Sequence, residues 1–306
     1  MSDAIHGTLP SVSGQLLETL EWRPEGAPRA VVQLVHGMAE HIDRYDATAR
    51  RLNQAGFLVV GHTHLGHGAQ APLLGWFAPQ GGWNALVEDV HTLREQTQAA
   101  WPGVPYFLLG HSMGSFITRT YCQRHEAGLT GVILSGTAHF DPPLLIAGLC
   151  IANVQCWLGG EKKPSVLLQN ISFAGYNRDW MPARTPNDWL SKDREVVDRY
   201  QADPLCGFPF TAGGYRDLFR GLKTLYPQHL ATMDKDVPVR LFSGASDPVG
   251  GRGEGVKATM RELLDAGVKD VSLKLYDAGR HEMLNEVERD TVCNDLIAWM
   301  DDQLKA

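Results

Sequence analysis

Short apolar runs alternate with longer amphipathic segments along most of this chain, a pattern typical of strands alternating with helices. The predicted strands cover residues 16–22, 30–35, 57–60, 105–109, 131–135, 237–243 and 271–276. The predicted helices cover residues 45–54, 83–100, 116–122, 257–266 and 286–304. Such alternation predicts an α/β fold with a mostly parallel central sheet, helices on both of its faces and an early antiparallel strand at 16–22.

The alternation stops between residues 139 and 215, a segment rich in Pro and aromatic residues and without a strong strand pattern. We therefore predict a core formed by residues 1–138 and 216–306, with 139–215 inserted as a helical cap. Within the insertion, residues 144–158 are strongly apolar. Two interpretations stay open for them: a helix packed on the core, or a cap helix that faces an acyl pocket or lipid. Residues 178–188 and 203–205 are expected to join cap and core.

The sequence Gly-His-Ser-Met-Gly at 110–114 follows a predicted buried strand and precedes a predicted helix. A sharp strand-to-helix turn exposes its central residue at the helix N-terminus, and small residues two positions away give the turn room. The motif alone occurs often by chance. In this strand-turn-helix context it predicts that Ser112 is a catalytic nucleophile.

A serine nucleophile needs a base to remove its proton and a carboxylate to orient that base. Asp247 follows the predicted strand 237–243, and His281 follows the predicted strand 271–276. The chain order Ser, Asp, His is that of this fold. Because the carboxyl ends of parallel strands meet at one edge of a sheet, we predict a triad of Ser112, Asp247 and His281.

The negative oxygen of a tetrahedral intermediate needs backbone N–H donors. One predicted donor is the N–H of Met113, the residue after the nucleophile. The other is the N–H of Met38, in the loop after the strand 30–35, where Gly37 lets the backbone turn. We therefore predict an oxyanion hole formed by the Met38 and Met113 backbone.

Five motifs in this order resemble the monoacylglycerol lipase and lysophospholipase branch of the α/β-hydrolases. They are His-Gly-Met-Ala-Glu-His at 36–41, Leu-Gly-His-Gly at 65–68, Gly-His-Ser-Met-Gly at 110–114, Ser-Asp-Pro-Val at 246–249 and Arg-His-Glu at 280–282. The resemblance runs from about residue 30 to the C-terminus and is weak in the middle. It implies an α/β-hydrolase fold with a helical cap, and a serine hydrolase of acyl esters that needs no metal or organic cofactor.

The resemblance also implies that Glu40, Arg44 and His111 line the polar end of the site, where relatives hold a glycerol head group. The alternatives are loop salt bridges for Glu40 and Arg44 and a structural histidine at the end of a strand for His111. The chain departs from its relatives at Thr63, where they usually carry Asp. We expect that difference to change loop packing and leave the chemistry intact.

A competing hypothesis rests on His62, His64 and His67, whose H-x-H-x-x-H spacing is close to the zinc signature of metallo-β-lactamase-like hydrolases. Imidazole is a common zinc ligand. That signature, however, has Asp before its last His, where this chain has Gly66. No further ligand cluster follows, and the serine motifs would stay unexplained, so we predict no metal.

Composition is ordinary for a globular protein, with 43% hydrophobic and 21% charged residues. The net charge of −7 gives no reason to expect nucleic acid as a partner. Five dispersed cysteines without C-x-x-C spacing fit reduced thiols better than disulfides, and no signal-peptide pattern precedes residue 20. We therefore expect a cytoplasmic location.

Together these patterns predict an ester hydrolase, most specifically a monoacylglycerol lipase that releases fatty acid and glycerol through an acyl-enzyme. The alternatives are a lysophospholipase, a short-chain carboxylesterase and, further away, a serine peptidase on the same fold. A hydrolase fold used only for binding is a third class, against which the complete triad argues. The expected partners are a small acyl ester and, transiently through the cap, a membrane or micelle; the sequence does not predict the oligomeric state.

Overall fold

An eight-stranded sheet runs through the protein, whose computed structural model describes residues 3–305. Its strands are β1 (Ile5–Pro10), β2 (Leu16–Trp22), β3 (Ala30–Val35), β4 (Phe57–His62), β5 (Tyr106–His111), β6 (Gly131–Ser135), β7 (Val239–Gly244) and β8 (Val271–Tyr276). Their order is β1-β2-β4-β3-β5-β6-β7-β8. β2 pairs antiparallel with β1 and β4, and the other neighbours pair in parallel. The predicted mostly parallel sheet is confirmed.

Helices cover both faces of the sheet. They are α1 (Asp46–Gln54), α2 (Gly82–Ala100), α3 (Met113–His125), α4 (Pro142–Gln155), α5 (Val166–Phe173), α6 (Arg194–Ala202), α7 (Ala212–Lys223), α8 (Glu254–Asp265) and α9 (Arg289–Gln303). Successive strand residues point to opposite faces: Val31 of β3 packs in the cluster that contains α2, α3 and α8, and Val32 packs in the cluster that contains α1 and α9. Burial on both faces explains why β3 to β6 consist almost wholly of apolar residues.

Two elements escaped the sequence analysis. β1 buries only Leu9, so its sequence shows no clear alternation of apolar and polar positions. α7 contains three glycines, which lower helix propensity, yet close packing requires them: a Cβ on Gly214 would lie 2.0 Å from the Gly75 carbonyl oxygen, and one on Gly221 would lie 2.0 Å from the Trp83 ring. Tertiary packing therefore outweighs local propensity in α7.

The insertion predicted at 139–215 contains α4, α5 and α6, and no strand occurs within that range. It lies between β6 and β7, and residue 215, its predicted end, falls inside α7. Both segments expected to join cap and core make ion pairs with the core: Asp179 pairs with Arg252, and Asp203 pairs with His41.

α4 and the π-helical turn that follows it form the most apolar surface of the cap. The helix over 142–160 is 19 residues long. A stretch of 18 residues within it has a mean hydropathy of 1.5, and 11% of that stretch is buried. Length and composition would allow this helix to cross a membrane. Only Leu145 and Ala152 of α4 are buried, and Leu144, Ile146 and Val154 are exposed.

Candidate active site

Ser112 lies at the turn between β5 and α3. Its φ of 52° is rare for a residue with a side chain and marks backbone strain. Its N–H donates to the Ser135 carbonyl at 2.9 Å, which fixes the turn against β6. Gly114 permits close packing here, because a Cβ would lie 1.9 Å from the Val35 carbonyl oxygen. The turn therefore presents Ser112 at the start of α3, as the sequence predicted.

Asp247 and His281 are in direct contact. His281 Nδ1 lies 3.0 Å from Asp247 Oδ2, and both side chains are buried. The carboxylate also accepts hydrogen bonds from Ser243 Oγ at 2.9 Å and from the Val249 N–H at 2.9 Å. Burial would lower the pKa of His281, but the charge and hydrogen bond of Asp247 raise it above its ordinary value.

The structure brings the predicted triad to one cavity, which Ser112 and His281 both line. Among the hydrogen bonds of residues 3–305, none joins the Ser112 hydroxyl to His281. Hydrogen bonds of this kind commonly shorten when substrate binds. The arrangement places a serine hydroxyl, a carboxylate and an imidazole after β5, β7 and β8, at one edge of the sheet, where they can act as nucleophile, orienting group and base.

The loop after β3 passes directly over the nucleophile. A Cβ on Gly37 would lie 3.3 Å from the Ser112 Cβ, so glycine is needed for this approach. Met38 and Met113 line the cavity, and within the described chain neither backbone N–H has a hydrogen-bond acceptor. Two such N–H groups on either side of the serine can bind a developing oxyanion.

A buried network of charges holds this loop. The Gly37 N–H and the Tyr45 hydroxyl donate to Glu40 Oε1 at 2.6 and 2.8 Å, and Arg44 pairs with Glu40 Oε2. Arg44 also donates twice to Glu282, at 2.8 and 2.6 Å. Burial would raise the pKa of Glu40, but the Arg44 charge holds it below its ordinary value, so Glu40 stays ionised.

The three histidines of the zinc hypothesis are buried and engaged in hydrogen bonds with the protein. His64 Nδ1 lies 3.1 Å from His62 Nε2, and His67 Nε2 accepts the Ala39 N–H at 3.1 Å. His36 Nε2 accepts the His64 N–H at 2.9 Å. Burial lowers the pKa of His62 to about 3 and that of His67 to about 4. These neutral rings form hydrogen bonds with the loop at residues 36–40, named the oxyanion loop here after its predicted role, and this contact gives the motif a structural role.

The cavity has a volume of about 940 Å³ and lies between core and cap. Its polar end is lined by Ser112, His281 and residues 37–40. Apolar side chains of the cap and of α7 line the remainder, among them Leu145, Ile151, Leu168, Phe173, Phe219 and Leu222. The nucleophile therefore lies where a polar site meets a long apolar chamber.

Residues 26–288 match the serine aminopeptidase S33 hydrolase family. This chain belongs to that family. It is 32% identical to a monoacylglycerol lipase of Mycolicibacterium smegmatis, with 91% of this chain and 90% of the relative covered. It is 29% identical to the human monoglyceride lipase, with 95% and 89% covered. The structure resembles a thermostable carboxyl esterase of Bacillus coagulans, solved with glycerol, at a TM-score of 0.92 and 30% identity, with 99% and 100% covered.

The comparisons confirm the predicted α/β-hydrolase fold and the predicted ester hydrolase activity. The roles of the individual site residues stay predictions. Glu40 and His111 line the cavity, as expected for contacts with a head group. Arg44 is not part of the lining, and its position between Glu40 and Glu282 favours the salt-bridge alternative. The pKa of His111 falls to about 4, chiefly through burial and then through the nearby His281 charge.

Sequence reasoning missed two residues beside the base. Glu282 binds Arg44 and lines the cavity, although its only sequence signal was its place next to His281. Trp189, in the cap, has its ring centroid 5.1 Å from that of His281, and its carbonyl accepts the His281 N–H at 3.4 Å. No sequence pattern points to this contact, because it joins segments far apart in the chain.

We predict that Ser112 is the sole covalent nucleophile. A fluorophosphonate should add one label to the wild-type protein and none to Ser112→Ala, as measured by intact-protein mass spectrometry. Ser172, which lines the same cavity from the cap, provides the matched control, and Ser172→Ala should be labelled like the wild type. Full labelling of Ser112→Ala would overturn the assignment.

The acidic limb of the pH–rate profile should report His281. The base must be neutral to accept a proton, so activity falls as the pH drops through its pKa, which lies above the ordinary value of 6.5. Asp247→Asn removes the charge that raises this pKa, so the limb should move to lower pH while kcat falls on the order of 10⁴-fold. The exposed Asp236→Asn is the control. A limb that stays in place in Asp247→Asn would show that another group controls it.

Proposed function

We propose that this chain is a monoacylglycerol lipase, which hydrolyses the ester between glycerol and a single fatty acid. The observation that carries the proposal is the position of Ser112 at the junction of a small polar end and a 940 Å³ apolar cavity. One acyl chain fits such a chamber, with a small polar alcohol beyond the ester. The names of the two relatives, and the glycerol bound by the similar esterase, support the same substrate.

In this proposal Ser112 Oγ attacks the ester carbonyl while His281 Nε2 accepts the hydroxyl proton. The Met38 and Met113 N–H groups hold the oxyanion. His281 then gives its proton to the glycerol oxygen, the C–O bond breaks, and an acyl-enzyme remains. A water molecule repeats the sequence: it gives a proton to His281 and forms the fatty acid, and the proton returns to Ser112. Asp247 keeps His281 in the correct tautomer throughout.

The head-group contacts belong to the proposal as well. Glu40 and His111 lie at the polar end of the cavity, and the depressed pKa of His111 keeps its ring neutral at physiological pH. A neutral ring and a carboxylate can both form hydrogen bonds with hydroxyl groups, so these two side chains suit a glycerol head group.

The cap is the proposed contact with lipid. Trp157 and Leu158 are 84% and 70% exposed at the end of the apolar helix and lie outside the cavity lining. Exposed apolar residues clustered on one face commonly mark a binding surface. Their neighbourhood includes the cap wall of the cavity, so substrate could pass from a micelle or bilayer into the site. A cytoplasmic location is a further proposal, consistent with five free cysteines.

Acyl specificity should depend on the residues that line the chamber. Each buried CH₂ contributes about 0.8 kcal/mol, so kcat/KM should rise about fourfold per CH₂ until the cavity is full. Leu145 lines the cavity, whereas Leu149 of the same helix is half-buried and lies outside the lining. Leu145→Asp should raise KM for long-chain monoacylglycerols and leave acetate esters almost unaffected.

Leu149→Asp is the matched control, and any loss of kcat/KM that it causes should be the same for short and long esters. Leu145→Ala provides a milder variant if the aspartate prevents folding. The assay should include lysophospholipids, p-nitrophenyl esters and an aminopeptidase substrate. Preference for one of these over monoacylglycerols would replace the proposed function with the corresponding alternative, and equal losses on all chain lengths in Leu145→Asp would refute the acyl-pocket role.

Contact with lipid should be separable from catalysis. Leu158→Asp should weaken co-sedimentation with phosphatidylcholine vesicles and slow hydrolysis of vesicle-borne monoacylglycerol, because a charge opposes insertion. Its turnover of soluble short esters should be unchanged. Val12→Asp alters a residue that is 60% exposed in the turn between β1 and β2 and should have no effect. Equal vesicle binding by both variants would exclude the proposed docking surface.

A further inference from the structure

Three potential metal ligands converge where the cap meets the oxyanion loop. His41 follows that loop, and Asp203 and Cys206 follow α6 on the cap side. An imidazole nitrogen, a carboxylate oxygen and a thiol sulfur lie within 4.8 Å of one another, and among residues 3–305 no other group of three such ligands meets that distance. We propose that His41, Asp203 and Cys206 bind a thiophilic divalent cation such as Zn²⁺, outside the catalytic triad.

The donors suit zinc, which prefers nitrogen, sulfur and carboxylate ligands in tetrahedral geometry. His41 Nε2 lies 2.8 Å from Asp203 Oδ2. Zinc distances of about 2.0–2.1 Å to each atom require a separation of roughly 3.3 Å, so a shift of about half an ångström would admit the ion. Cys206 lines the active-site cavity, which gives the ion an entry path and a water as its fourth ligand.

The surroundings of His41 are also those of a metal ligand. Its other nitrogen, Nδ1, lies 2.9 Å from Asp43 Oδ2. Metal-bound histidines usually donate their second N–H to a carboxylate or carbonyl, which fixes the ring and increases its basicity. Asp43 thus occupies the outer position of a carboxylate–histidine–metal arrangement, on the side of the ring away from Asp203 and Cys206.

A metal ion here would replace a proton. His41 Nε2 and Asp203 Oδ2 lie 2.8 Å apart and share a hydrogen bond, so an ion between them must take the place of the proton that joins them. Because the ion must displace that proton, binding releases protons and is weaker than at a site of free imidazoles.

The bound ion would link cap and core. The Gly207 N–H, next to Cys206, donates to the Ala39 carbonyl at 2.9 Å, and the Tyr200 hydroxyl donates to the same oxygen at 3.1 Å. His41 lies two residues beyond Ala39, on the core side of this contact. An ion held by His41, Asp203 and Cys206 would therefore strengthen an existing connection between the cap and the oxyanion loop, without touching substrate.

The test titrates the chelated full-length protein with Zn²⁺ by calorimetry and with Co²⁺ by absorption spectroscopy. We expect one ion per chain, a thiolate-to-cobalt charge-transfer band and a Tm that rises with Zn²⁺, since the ion binds the folded state. Cys206→Ser should lose the band and bind Zn²⁺ more weakly, because it removes the thiolate ligand. Cys150→Ser and Cys156→Ser change cysteines outside the cluster, so they should keep the charge-transfer band and the affinity for Zn²⁺.

Asp203→Asn should weaken Zn²⁺ binding as well, and it serves as a second variant if Cys206→Ser does not fold. The chelated wild type should hydrolyse soluble esters fully, because the triad needs no metal. That result separates failure of this site from failure of the proposed function. Absence of saturable binding, or wild-type affinity in Cys206→Ser, would show that His41 and Asp203 form only a salt bridge between cap and core.

Discussion

The buried charge of Arg44 is the interaction on which the rest of the site depends. Its guanidinium pairs with Glu40 and, through two hydrogen bonds, with Glu282, and it lies 4.8 Å from the ring centre of Tyr200 in the cap. Glu40 holds the oxyanion loop through the Gly37 N–H, and Glu282 follows the base. Removing one partner of a buried ion pair costs about 3–5 kcal/mol, because an unpaired charge remains. Arg44 therefore contacts the oxyanion loop, the loop of His281 and the cap through one side chain.

Environment, and not residue type, decides the charge of the histidines around this loop. His36 and His67 lie among apolar and neutral groups, burial lowers their pKa, and each offers Nε2 as an acceptor for a backbone N–H. His41, a few residues along, faces Asp43 and Asp203, and its pKa rises. The neutral rings shape the backbone of the predicted oxyanion hole, and the charged ring joins the core to the cap. A zinc ion at the neutral cluster would compete for nitrogens already used by the backbone.

The sequence could predict the parts of the site that depend on local structure. Ser112, Asp247 and His281 each follow a strand, and sheet topology brings strand ends together, so chain order and apolar runs were enough to locate them. Arg44 was expected at the polar end of the site, whereas the structure places it between two carboxylates, one of which, Glu282, lies more than 200 residues away in the chain. Similarly, α7 was missed because its glycines are required by Gly75 and Trp83, which local sequence does not reveal. The sequence could not predict these features because they depend on contacts between segments that are far apart in the chain.

Two parts of the cap differ in their contacts with the loop of His281: the segment at residues 189–192 is bonded to it, and in the described chain α4 and α5 are not. The Leu190 carbonyl accepts the Glu282 N–H at 2.8 Å. Glu286, on the core, accepts the N–H groups of Arg280 and Lys192 at 2.9 and 3.1 Å, so the segment around residues 189–192 and the loop of the base form one connected unit. α4 and α5, in contrast, bury only three residues between them. An opening that moved the segment 189–192 would disturb His281, whereas displacement of α4 and α5 would leave the triad intact. Entry of an acyl chain on the side of these two helices is thus compatible with a fixed catalytic base.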